Sequence, residues 1–96
     1  MKRIIGSEDL QYLMKLENDV NTILVGAKKE RHNIDGAVNW ADLRCVSTEF
    51  YVAGNGDHGY RAYIEEASST AAGLHTYVYR KLAERGYKAV EIRTAW

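Results

Sequence analysis

Residues 54–59 read Gly54-Asn55-Gly56-Asp57-His58-Gly59 and set an aspartate directly beside a histidine. A carboxylate that orients an imidazole is the arrangement of a general base. Adjacency alone does not make one: catalytic partners must reach each other and a substrate within hydrogen-bond distance, and neighbours at a hairpin tip point apart. Three glycines and an Asn-Gly pair are the residue types that tolerate positive φ, so the stretch reads as a solvated turn. Phosphate cradling is the other chemistry a glycine loop suggests. It requires a helix N-terminus directly after the loop, and a strand pattern follows here.

The remaining reactive side chains are dispersed. His32, His58 and His75 fall at a helix end, a loop tip and a helix flank. None shares the i, i+4 or C-x-x-C type of spacing that fixes a transition metal. Cys45 sits in a strand pattern, on the side expected to face outward. A nucleophilic thiol needs positive surroundings or a nearby base, and no dedicated partner is apparent. No catalytic residue, metal ligand or cofactor is therefore expected.

The elements that hold these groups follow from periodicity. Ser7, Glu8 and Asp9 suit a helix start, because a serine oxygen caps free N–H groups and acids favour the positive end of the dipole. Leu10, Leu13, Leu16, Val20, Ile23, Leu24 and Ala27 then recur at helical spacing, and the helix should end between Asn33 and Gly36. From Leu43 the period changes to two. Val46, Thr48, Phe50 and Val52 are expected on the core side of a strand, with Cys45, Ser47, Glu49 and Tyr51 on the other. A second strand spans residues 60–66, with Ala62 and Ile64 inward. Ser68 to Thr70 would cap a second helix striped by Ala71, Leu74, Val78 and Leu82, and Gly86 would close it. Residues 88–94 form the last strand, Val90 and Ile92 inward. The fold class is α+β: two helices on one face of a three- or four-stranded antiparallel sheet. It is ferredoxin-like (βαββαβ) if Lys2 to Ile5 forms a strand and an αββαβ sandwich if it does not.

This layout places Tyr51, Arg61, Tyr63 and Arg93, with Glu49, Glu65 and Glu91, on the open face of the sheet. Aromatic rings on such a face can stack bases, but three glutamates cancel the arginines and the RNP pattern is missing. Tyrosine and arginine are also the residues enriched in protein interfaces. The expected site is therefore a protein-contact surface of Tyr51, Arg61, Tyr63 and Arg93, with Trp96 at its edge. The basic clusters Lys28, Lys29, Arg31 and Arg80, Lys81, Arg85, Lys88 lie at helix C-termini, where the dipole accounts for them.

Composition agrees. Ninety-six residues, 46% of them hydrophobic, suit one domain over residues 1–96, since a chain of this size buries only about 60–70% of its unfolded surface. Thirteen Lys and Arg balance thirteen Asp and Glu, without the basic excess of a nucleic-acid binder. Residues 1–5 are too short an apolar run for a signal peptide or membrane span, and a single cysteine makes no internal disulfide. A cytoplasmic setting with no membrane association is the expectation. Two tryptophans and seven tyrosines exceed what a small core buries, which favours a homodimer.

The stretches Asn39-Trp40-Ala41-Asp42-Leu43, Gly59 to Ala67 and Gly86 to Arg93, continuing to Trp96, resemble small orphan accessory proteins carried by phages and other mobile elements. The resemblance implies action by protein contact, in some cases inhibition of host defence machinery. It carries no functional residue over.

Overall fold

The computed structural model describes residues 7–34, 38–52, 54–56, 58–65, 72–88 and 90–95. The chain runs through helix α1 (Ser7–Lys29), a short 3-10 turn (Arg31–Asn33), strands β1 (Arg44–Val52) and β2 (His58–Glu65), helix α2 (Ala72–Glu84) and strand β3 (Val90–Ala95). Lys2 to Ile5, Ser68 to Thr70 and Ala71 lie outside the described residues; among the described residues the order is αββαβ.

The α1 stripe buries Leu13, Leu16, Val20, Ile23, Leu24 and Ala27. Leu10, expected in the same stripe, is 54% exposed. At about 100° per residue it lies roughly a quarter turn from the stripe's centre, at the border of the buried face. The regular helix ends before Asn33 because the backbone tightens: Glu30 N–H donates to Ala27 O at 3.0 Å and Asn33 N–H to Glu30 O at 2.8 Å, i to i−3 bonds that close the free carbonyls.

Leu74, Val78 and Leu82 of α2 complete the helical side of the core. The helix ends at Gly86, whose φ of 90° is open to glycine without a Cβ clash. Gly86 N–H bonds Ala83 O and Tyr87 N–H bonds Leu82 O, both at 3.0 Å, the paired bonds of a Schellman cap. Tyr87 is thereby turned back into the core beside Leu82, 6% exposed. It thus leaves the set of aromatics expected to exceed the core.

The sheet has the order β1-β2-β3. β1 and β2 form an antiparallel hairpin, with Gly56 supplying the positive φ (89°) of its turn. β2 and β3 pair in parallel, Tyr60 opposite Val90 through Glu65 opposite Ala95. The sheet is mixed, which corrects the expected antiparallel one. A ferredoxin-like order needs another strand between β2 and β3, and these two are hydrogen-bonded to each other directly. The physical reason lies in the connection: α2 crosses back over the sheet, and a strand-helix-strand crossover delivers its second strand parallel to the first.

One register detail shifts a face. The β1–β2 ladder slips between Cys45 and Ser47, so that Cys45 pairs with Ile64 and Ser47 with Tyr63. Val46 is the extra residue of this bulge and is exposed, whereas Cys45 is buried with Ala62, Ile64 and Val90. Both sides are the reverse of strict alternation. Beyond the slip the expected alternation resumes, with Thr48 opposite Ala62 and Glu49 opposite Arg61, except that Val52, expected on the core side, is exposed at the strand end. Helix and bulge are tied together: Asn21 accepts Cys45 N–H at 2.9 Å, and Thr48 Oγ1 donates to Leu13 O at 3.1 Å.

Candidate functional site

Among the described residues both helices pack on the face carrying Cys45, Ala62, Ile64 and Val90, which leaves the opposite face of the sheet open. Register aligns its side chains in rows across the strands. Glu49, Arg61 and Glu91 form one row, Ser47, Tyr63 and Arg93 the next, and Arg44 and Glu65 a third.

Arg61 is the hub. Its Nε donates to Glu91 at 2.6 Å and its Nη1 to Glu49 at 3.1 Å, one carboxylate on each flanking strand. Its guanidinium carbon stands 4.1 Å from the centroid of the Tyr51 ring, a stacked cation–π geometry. Tyr63 Oη donates to the same Glu49 oxygen at 2.6 Å. Arg93 reaches Glu91 at 3.4 Å, and Arg44 Nε holds Glu65 at 2.9 Å. The Arg61 side chain is 30% exposed, against 55% for Arg93 and 69% for Arg44. The centre of the face is thus fixed by several partners, and its rim stays wet.

Protonation follows the contacts. The Tyr63 hydroxyl, and then Arg61, hold the Glu49 carboxyl below its ordinary value. Arg61 does the same for Glu91. Accepting carboxylates in turn raise Arg61, Glu91 first, and Glu49 raises the Tyr63 phenol. Every shift favours the charge-paired form, so near neutral pH the row is Glu⁻, Arg⁺, Glu⁻. These groups are saturated by one another, which leaves none poised for proton transfer.

Of the five surface residues expected from sequence, Tyr51, Arg61, Tyr63 and Arg93 lie on this one face; Trp96 is outside the described residues. Ser47 keeps the outward side expected for it, and Arg44 joins the face without having been expected there: only the slip at Val46 turns it outward.

The reactive candidates fall elsewhere. Asp57 is outside the described residues, and His58 opens β2 opposite Val52. Burial pushes the Cys45 thiol up to about 11, with Glu17 adding to the effect, and Sγ contacts Ser47 O at 3.5 Å. That makes it a core residue, unsuited to attack. His32 is exposed in the 3-10 turn. His75 lies between α2 and β3, its Nε2 3.5 Å from Thr94 Oγ1, beside an open groove of about 620 Å³. Among the described residues no three His, Cys, Asp or Glu side chains gather as metal ligands, and no helix is long and apolar enough to cross a membrane.

A second cluster joins α1 to the sheet. Tyr12 stacks on Tyr60 with centroids 4.4 Å apart and meets Tyr87 edge-on at 5.5 Å, while Phe50 meets Tyr60 edge-on at 5.6 Å. Asp19 of α1 accepts from Tyr87 Oη and, at 3.2 Å, from Arg85 Nη1. The cluster ties α1 to the sheet and to the end of α2.

In comparisons with known proteins, no family model, no curated protein and no solved structure matches this chain. Among the described residues the fold is of the α+β class, two helices with a three-stranded mixed sheet.

Proposed function

We propose that this chain is a non-catalytic protein-interaction module that works as a homodimer and presents the open face of its sheet to a protein partner. The carrying observation is Arg61, clamped by Glu49 and Glu91 and stacked on Tyr51. Such a side chain has little rotamer freedom left to lose on docking, and preorganised aromatic and arginine groups are what anchor protein interfaces. Glu49, Glu65 and Glu91 against Arg44, Arg61 and Arg93 leave the face formally neutral, which suits a protein surface better than a phosphate backbone. At the end of α2, Arg85 pairs with Asp19 and Lys81 with Glu84. The resemblance to accessory proteins of phages and mobile elements agrees with this reading, and no cofactor or metal enters it.

The test compares baits. Wild type, a Tyr51→Ala/Tyr63→Ala double variant and a Lys29→Ala control on α1 are used for affinity capture from source-cell lysate. A protein retained by wild type and control but lost by the double variant is the expected result. Equal retention by all three removes the open face from the function.

A second reading, binding of a small molecule, is favoured by one observation: His75 borders the groove between α2 and β3. It predicts that small-molecule fragments shift the ring resonances of His75 and leave those of Tyr63 unmoved.

A further inference from the structure

β3 is an edge strand. Among the described residues its side away from β2 pairs with no strand. Bulges, prolines and very short strands are the usual means of blunting such an edge. The other edge strand, β1, carries the bulge at Val46, whereas β3 pairs in unbroken register along its whole length and the chain contains no proline. Beside this edge runs the groove bordered by His75, Thr76 and Tyr79 of α2 and by Val90 and Ile92 of β3. Tyr79 is 54% exposed there.

The sequence of β3 is self-complementary when read antiparallel. A twofold axis at Ile92, normal to the sheet, sets Glu91 opposite Arg93 of a second copy and Arg93 opposite Glu91, both on the open face. On the helical face it sets Ile92 against Ile92, and Val90 against Thr94. Opposite charges and β-branched residues directly across from each other are the stabilising cross-strand pairs. Parallel pairing in the same register would instead oppose Glu91 to Glu91 and Arg93 to Arg93.

We infer that two copies of this chain join β3 to β3, antiparallel about Ile92, into one continuous six-stranded sheet. The inference rests on the homodimer proposed above and names its interface. Both α2 helices then lie on the same face of the joined sheet, and their grooves meet across the axis, where the two Tyr79 rings cover them. The open faces become one surface with two Arg61 hubs.

The test is the mass of the full chain by light scattering across a dilution series. Wild type is expected to be dimeric. Arg93→Glu opposes like charges at both ends of the pairing and should weaken the dimer about 10- to 100-fold, the loss of two cross-strand pairs and their replacement by repulsion. Glu91→Arg should weaken it similarly. Mixing the two variants restores opposite charges across the axis and should return a heterodimer near wild-type strength, an outcome that mere misfolding cannot produce. A wild-type dimer that Arg93→Glu leaves unchanged refutes this interface but spares the homodimer. A wild-type monomer refutes both, and β3 edge amides that then resist hydrogen exchange as well as those of β2 would show the edge covered from within one chain.

Discussion

The side-chain oxygen of Asn21 accepts the backbone N–H of Cys45 at 2.9 Å, so a helix residue serves the strand at the point where its ladder slips. A bulge leaves backbone groups short of cross-strand partners, and the bond from α1 fills one of them. It also holds Cys45 inward.

Removing that acceptor strands a partly buried donor. Asn21→Ala should cost about 1–2 kcal/mol in urea unfolding, and Asn21→Asp, which keeps an acceptor, distinctly less. Equal losses for the two would mean that the bond is incidental.

The open-face network makes a patterned prediction for two carboxyl groups. Tyr63→Phe should raise the pKa of Glu49, whose largest influence is the Tyr63 hydroxyl, and leave Glu91 in place. Arg61→Met should raise both. Carbon-detected NMR titration of the two side chains reads this directly. Because both folded values lie below the ordinary 4.5, these groups support the fold above that pH and cease to as the solution is acidified through their folded values. Glu91 moving in Tyr63→Phe would contradict the assigned contacts.

Cys45 should be inert in the folded protein. Raised from 9.0 to about 11, its thiol carries about 100-fold less thiolate at a given pH than an ordinary one, before burial is counted. Alkylation at pH 8 should be slow and should accelerate in urea along the unfolding curve. Rapid modification under native conditions would show that the thiol is accessible and activated.

The alkaline limb of stability belongs to Cys45 and the phenols. Burial raises Tyr12, Tyr77 and Tyr87, carboxylate contacts add to the last two, Glu49 raises Tyr63, and Tyr77 reaches about 12. Each folded value exceeds the unfolded one, so the folded chain binds more protons at high pH. Stability is full below about pH 9 and falls as pH climbs through the folded values. Urea midpoints should begin to drop near pH 9 and continue to drop to about pH 11, and Cys45→Ala should flatten the first part of the decline. A level profile would be incompatible with these burials.

Much of the fold is legible in the sequence because burial writes a period. The α1 and α2 stripes and the open face of β2 and β3 follow from it. Leu10 misleads because a stripe has an edge that spacing alone does not mark. Cys45, Val46 and Arg44 mislead because a bulge inserts one residue with no signature of its own, and every side chain before it then changes face. The parallel pairing of β3 depends on which strand occupies the centre, a competition among segments that no single segment records. Asp19 and Asn21 look like solvent-facing helix residues, since their partners Tyr87 and Cys45 are remote in the chain.

The strand order has a consequence for the path by which the chain folds. β1 and β2 meet across the short 53–57 connection, whereas β3 must return across residues 66–89. Closing a connection nearly five times longer costs about 1.4 kcal/mol more in chain entropy. The hairpin can therefore assemble early against α1, and α2 with β3 docks as a second unit after the barrier. Substitutions in that unit should mainly hasten unfolding, and those at the hairpin should mainly slow folding.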